Sequence, residues 1–245
     1  MRKVILHYHF FKNAGTSIDE SLKASFGQQN WVTKEFVDSI ENRKAALKGW
    51  MESVEEKLCF STHTADFPVP KPAGCEVFPI VFLRHPIDRI ASVYHYERQQ
   101  NTDSFGATLA RNTTFRGYVE CRLNMSQDRQ CRNFHVNRLA KGVSLKSASE
   151  RQKANLTFDA LPFIGVVEKF NDSLAKLEID LKKFGIGEVS LAAHKMNVGR
   201  TLELDTAGKL AMIKEQLGHE MYDRLLEANA DDIGLYQHAL SRYET

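Results

Sequence analysis

The sequence lacks any stretch of about eighteen consecutive apolar residues in its 245, so no helix able to cross a membrane is expected. A signal peptide is not expected either: Met1-Arg2-Lys3 runs straight into an apolar segment that His7 and His9 interrupt. Neither sign of charge dominates. Thirty-three Lys and Arg against 31 Asp and Glu leave a net charge of +2, and the average composition therefore selects no partner. The four cysteines follow no metal-binding spacing. Cys59 and Cys75 lie in or beside apolar segments and read as buried thiols. Cys121 and Cys131 are close enough in sequence to staple a loop in an oxidising compartment; in a cytoplasm thiols are expected. Internal repeats and low-complexity tracts are absent.

What is present is a core. Forty-two per cent hydrophobic and 10% aromatic residues suffice for one α/β domain spanning 1–245. Strand patterns at 4–10, 57–61, 76–83 and 163–167 alternate with helix patterns at 17–25, 33–54, 86–99 and 168–184. Three short helices, at 205–217, 220–227 and 230–242, finish the chain. Such alternation predicts a central parallel sheet flanked by helices, with ligand at the C-terminal ends of the strands. Segment 76–83 is apolar on both faces and is expected to be central, its first half weakened by Pro79. Residues 102–158 read as an irregular helical insert over the sheet. Within it, 111–153 holds ten Lys and Arg against three acids, a surplus of seven that leaves the rest of the chain at −5. Charge so segregated suggests an acidic partner.

Two turns carry the chemistry. The first strand leads into Phe11-Lys12-Asn13-Ala14-Gly15-Thr16-Ser17, and Glu20 follows Ser17 by three, a capping-box pattern that opens a helix. A strand, a short loop with a glycine and a helix N-terminus form an anion site, because free N–H groups and the helix dipole both face it. Lys12 adds positive charge, and Thr16 and Ser17 add hydroxyls. The common triphosphate loop, G-x-x-x-x-G-K-[ST], does not fit, because Lys12 precedes Gly15 and no earlier glycine exists. At the second turn Arg84 leaves the third strand just ahead of Pro86, which suits the first turn of a helix. Its guanidinium can grip phosphate oxygens in a fork, and Ser92 can add a hydroxyl. Arg89 reads as a structural ion pair with Asp88 nearby.

Lys12-Asn13-Ala14-Gly15-Thr16-Ser17 resembles the 5′-phosphosulfate loop of the sulfotransferases that use 3′-phosphoadenosine 5′-phosphosulfate (PAPS). Arg84-His85-Pro86-Ile87-Asp88-Arg89-Ile90-Ala91-Ser92-Val93-Tyr94 is similar to their 3′-phosphate motif, Arg-x-Pro-x-x-Arg-x-x-Ser-x-Tyr, and follows in the order that family shows. Residues 166–174 are similar to the family's strand-into-helix segment, and Asn197 with Arg200 resembles its late loop over the nucleotide. Residues 60–67 resemble the stretch holding the catalytic histidine of the carbohydrate (uronyl 2-O-type) branch, departing from it at Ser61, where that branch has a second histidine. The Cys121–Cys131 pair resembles a disulfide-bearing loop of the same branch.

The resemblance implies a P-loop-like three-layer domain and in-line transfer of a sulfuryl group to an acceptor hydroxyl. It places Lys12 on the bridging oxygen and leaving phosphate. Asn13, Ala14, Gly15, Thr16 and Ser17 surround the 5′-phosphate, and Arg84, Ser92 and Arg200 hold the 3′-phosphate. His63 becomes the general base, its ordinary pKa near 6.5 suiting proton uptake at neutral pH, with Asp66 the other candidate. PAPS is the donor and 3′,5′-adenosine bisphosphate (PAP) the product; no metal is called for, since protein donors meet each anion. His7 and His9 are expected to be packing residues and His85 a cap. The expected acceptor is an acidic saccharide or a glycolipid. Nucleic acid is not expected, with only Phe115, Tyr118 and Phe134 able to stack in the basic segment. Two other readings use the same residues: a non-catalytic module binding PAP or an acidic glycan, and a nucleotide kinase, which would want a magnesium carboxylate and a complete triphosphate loop. A cytoplasmic location is expected, or the Golgi lumen for an excised catalytic domain, with which sequons at Asn112, Asn124, Asn155 and Asn171 are compatible.

Overall fold

The computed structural model describes residues 1–191 and 204–244. Its first strand, β1 (Arg2–Tyr8), is buried from Val4 to Tyr8 on both faces, as suits a largely apolar run, with His7 the buried polar exception. On either side of β1 lie β3 (Cys59–Thr62) and β4 (Cys75–Ile80), and β2 (Trp31–Thr33) lies outside β3. The order β2-β3-β1-β4 is parallel throughout, with Leu6 level with both Phe60 and Pro79. After β1 the chain builds β2 and β3 on one flank and then crosses to β4 on the other. The C-terminal end of β1 is thus a topological switch point, the place where open α/β sheets leave a crevice for ligand.

The segment expected to be one central strand is two. β4 closes the four-stranded sheet, an outer position that tolerates Pro79. Past Val81, β5 (Phe82–Leu83) pairs in parallel with β6 (Gly165–Val166), and the Gly165 N–H donates to the Val81 carbonyl at 2.8 Å.

α1 (Gly15–Phe26) and α2 (Ile40–Ser53) both correct the predicted starts. α1 begins two residues before Ser17, and its N-cap residue, Ala14, makes no side-chain bond. Glu20 pairs with Lys23 at 2.7 Å instead of capping. Thr33 ends β2, and the cap of α2 is Ser39, whose Oγ accepts the Asn42 N–H at 3.3 Å. α3 (Pro86–Gln99) starts with the proline, as predicted. Then come α4 (Phe105–Asn112), α5 (Phe115–Asn124), α6 (Phe134–Ala140), α7 (Glu150–Ala160), α8 (Phe170–Phe184), α9 (Thr206–Leu217), α10 (His219–Ala228) and α11 (Ala230–Ser241). α8 stops at Gly185, whose φ of +92° gives the left-handed turn that a helix C-terminus favours.

Alternation along β1 divides the core. Val4, Leu6 and Tyr8 pack with α2, α6, α7 and α11, whereas Ile5 packs with Ile18 and Leu22 of α1 and Leu174, Leu177 and Leu181 of α8. The fold is α/β, a parallel sheet between helical layers. A third cluster joins α3, α4, α5, α9 and α10. The predicted insert therefore splits: α4 and α5 belong with the C-terminal helices, and α6 and α7 cover the sheet. All four cysteines are thiols. Among the described residues no helix is long and apolar enough to cross a membrane.

Candidate functional site

The loop after β1 is shaped by Lys12 (φ +62°) and Ala14 (φ +59°), both left-handed without being glycine. Conformations of alternating hand turn successive N–H groups toward one side and make a concavity for anions. The first helical bond in α1 runs from the Ile18 N–H to the Ala14 carbonyl at 3.1 Å, so the N–H groups of Gly15, Thr16 and Ser17 have no acceptor within the helix. Thr16 is exposed and Ser17 is nearly buried. Gly15 is not where the chain turns left-handed. A Cβ there would lie 2.0 Å from His9 Cδ2 and 2.2 Å from His9 Nε2, so glycine is required because the His9 ring lies on it.

Asn13 differs from its expected role. It is buried, its N–H donates to the Phe10 carbonyl at 3.1 Å and its Nδ2 to the Phe11 carbonyl at 3.0 Å. His135 Nε2 donates to its Oδ1 at 2.9 Å, and the His135 and Val136 N–H groups donate to Asp232 at 2.9 and 2.8 Å. The side chain anchors the loop to α6 and α11 rather than facing a ligand.

Lys12 and Arg84 meet. Arg84 Nη1 donates to the Lys12 carbonyl at 3.3 Å, and its Nε donates to Asp88 Oδ2 at 2.8 Å. The Lys12 amine lies 4.4 Å from the centre of the Tyr96 ring, in cation–π contact. Burial, with the Arg84 charge behind it, lowers its pKa. Ser92, half-buried, comes four residues after Asp88 on α3, on the same helical face. Arg89 is structural, but its partners are not those predicted: it is buried beneath the Phe134 ring and donates to the Gln130 side chain and carbonyl. His85 is the N-cap residue of α3, yet its ring makes no cap bond. Arg200 and Asn197 lie outside the described residues.

His63 is exposed just past β3. Its Nδ1 donates to the His9 carbonyl at 2.9 Å, and because a carbonyl only accepts, Nε2 carries the lone pair of the neutral ring. Both oxygens of Glu35 accept the His63 N–H, at 3.0 and 3.1 Å, and Arg138 Nη2 donates to its carbonyl at 3.0 Å. Burial and the neighbouring His9 lower the His63 pKa, keeping it in the base form. The other candidate, Asp66, is spent on Arg43 at 2.5 Å and Lys141 at 2.8 Å.

His7 and His9 share one sheet face, as alternation predicts, but they are not merely packed. Asp19 of α1 accepts from His7 Nδ1 at 2.7 Å and from His9 Nδ1 at 3.0 Å. Despite its burial, these two rings hold the carboxyl well below the usual carboxylate range. Ser61, where the resembling branch has histidine, places Oγ 3.2 Å from His7 Nδ1. The His9 ring lies 3.8 Å, centre to centre, from that of His63. Asp19 and Glu35 escaped the sequence reading because nothing in their spacing ties them to histidines of other elements. A strand-face argument for Asp19, opposite His7 and His9, could have found it.

The basic insert is not a free cationic face. Arg122 bridges Glu97 and Asp128, Arg129 pairs with Glu150, Arg151 pairs with Asp231, and Arg138 and Lys141 turn to Asp66. Arg111, Arg116 and Arg132 donate to backbone carbonyls. Of the ten, Lys146 and Lys153 alone have no such partner among the described residues.

No protein-family model matches the chain. The chain is similar to an uncharacterized protein of Archaeoglobus fulgidus, with 38% identity over 252 aligned positions that cover 99% of this chain and 98% of that protein.

Proposed function

The chain belongs to the family of this Archaeoglobus fulgidus protein, and for that family's fold we propose a function: transfer of the sulfuryl group of PAPS to an acceptor hydroxyl, on a P-loop-like domain. One observation carries the proposal. The amine-bearing loop and the guanidinium at the end of β5 touch, with Arg84 Nη1 on the Lys12 carbonyl, at the switch point of the sheet. A ligand seated there meets two cations and the opening N–H groups of α1, which suits a nucleotide phosphorylated at both ends.

In this reading the N–H groups of Gly15, Thr16 and Ser17, with the Thr16 and Ser17 hydroxyls, receive the 5′-phosphate. Lys12 leaves the face of Tyr96 for the bridging oxygen, where charge develops as the bond to sulfur breaks. Arg84 and Ser92 take the 3′-phosphate. His63 Nε2 accepts the proton of the acceptor hydroxyl, its tautomer set by the His9 carbonyl. Catalysis is mostly alignment and charge stabilisation, as in phosphoryl transfer. With most of the insert's cations already paired, the charge surplus no longer selects an acidic acceptor, and the acceptor class is set by the surface around His63.

The test is direct. Calorimetric titration with PAP and with ATP, followed by assay with radiolabelled PAPS against a panel of saccharides and glycolipids, separates three readings. Tight PAP binding with label transfer supports the proposal. PAP binding without transfer to any acceptor favours a binding module, and preference for ATP favours a kinase.

A further inference from the structure

His9 has chemistry that the reading above does not use. Asp19 accepts from its Nδ1 at 3.0 Å, so Nε2 is the free nitrogen, and among the described residues nothing bonds to it. The Cδ2–Nε2 edge lies against Gly15, the first residue of α1, where the anion cradle opens. The other imidazole, His63, is 3.8 Å away, centre to centre. The two rings differ in support. His9 has a buried carboxylate behind it. No carboxylate binds the His63 ring, because Glu35 holds its backbone N–H, and Arg138 brings positive charge to its carbonyl.

We propose, resting on the sulfotransferase reading, that His9 and His63 are an acid–base pair that, once the nucleotide is bound, holds one proton between them: His9 protonates the leaving 5′-phosphate, His63 deprotonates the acceptor, and Asp19 is the positioning residue of His9. Two rings so close resist double protonation, so the pair titrates in separated steps. An anionic phosphate at the cradle, with Asp19 behind, draws the single proton to His9. As the acceptor oxygen bonds to sulfur, the bond from sulfur to the bridging oxygen breaks and its electrons stay on the 5′-phosphate. That phosphate takes the His9 Nε2 proton, and the acceptor hydroxyl gives its own to His63 Nε2. The pair carries one positive charge before and after. The titratable and charged groups facing the two rings are His7 on β1, Asp19 on α1, Glu35 after β2 and Arg138 on α6.

The experiment is calorimetry of PAP binding near pH 7.5 in two buffers of different ionisation heat, with pH–rate profiles beside it. Wild type should take up about one proton per PAP, His9→Gln should take up none, and His63→Gln should keep the uptake. Transfer should fall at low pH, where His63 is protonated, and at high pH, where His9 is not; His9→Gln should lose the alkaline limb and about 10²-fold in turnover. PAP binding without proton uptake, or uptake that persists in His9→Gln, overturns the pair. Should His9→Gln not fold, Asp19→Asn, which removes the negative charge behind the His9 ring, must reduce the uptake by itself; undiminished uptake there is equally fatal. Failure of wild type to bind PAP removes the donor reading and this inference together, whereas binding without uptake removes only the inference.

Discussion

A methyl group added at Gly15 would meet the His9 ring at 2.0 Å. Gly15→Ala is therefore expected to displace that ring, with a cost of about 1–3 kcal/mol for overpacking and weaker PAP binding; urea denaturation and calorimetry read the two effects. Lys12 is half-buried and makes no ion pair among the described residues, so Lys12→Ala should leave the unfolding midpoint nearly unchanged while lowering turnover by about 10²–10³-fold. Normal turnover in that variant removes Lys12 from the chemistry. At this scale the sequence singled out Lys12, Arg84 and His63 as candidates from local patterns alone. It hid Asp19 and Glu35, whose roles exist only once β1, α1 and the loops after β2 and β3 come together. Asn13 and Gly15 show that a motif records only that a residue is required, not whether a ligand or a neighbouring ring requires it.

Among the elements, the tie between the cradle and α11 is the most exposed to mutation. Asp232 is buried and accepts the His135 and Val136 N–H groups, and His135 in turn holds Asn13. Asp232→Ala leaves those two buried backbone donors without their acceptor and should cost about 2–4 kcal/mol, read by chemical denaturation. Asp231→Ala, which loses a pair at 3.3 Å whose Arg151 is mostly exposed, should cost at most about 1 kcal/mol. α3 and the three C-terminal helices were legible from proline placement and apolar spacing. β6 was read as a longer strand over 163–167, whereas β2 was not read and β5 was merged with β4, since strands of two or three residues are too short to display a period. The insert's charge was legible and its use was not, because partners such as Glu97, Asp66 and Asp231 lie outside the basic segment.

For the molecule as a whole, histidines with lowered pKa values set the acid response. His9, His63, His85 and His95 have pKa values lowered chiefly by partial loss of solvent around their rings. The unfolded chain therefore binds more protons than the native one once pH falls through about 6.5, and stability declines with it. Asp19, Asp66 and Asp232, with folded pKa values held low by their cationic partners, contribute stability that is full above about pH 4 and is lost as pH falls further. Glu168, raised by burial, works in the opposite sense, and its effect is outnumbered. The urea midpoint should thus fall first between about pH 6.5 and 5 and again below 4; a flat profile down to pH 5 would mean the histidines are protonated in the native protein. The sheet's parallel sense followed from alternating strands and helices, a long-range regularity that survives local errors of boundary.

Arg84 is already occupied before any nucleotide arrives, one edge on Asp88 and another on the Lys12 carbonyl. A ligand that draws the guanidinium toward itself takes it from that peptide and frees the loop to turn. Filling one half of the crevice thereby resets the other, and the affinities of adenosine 3′-monophosphate and adenosine 5′-monophosphate should not combine to give that of the bisphosphate.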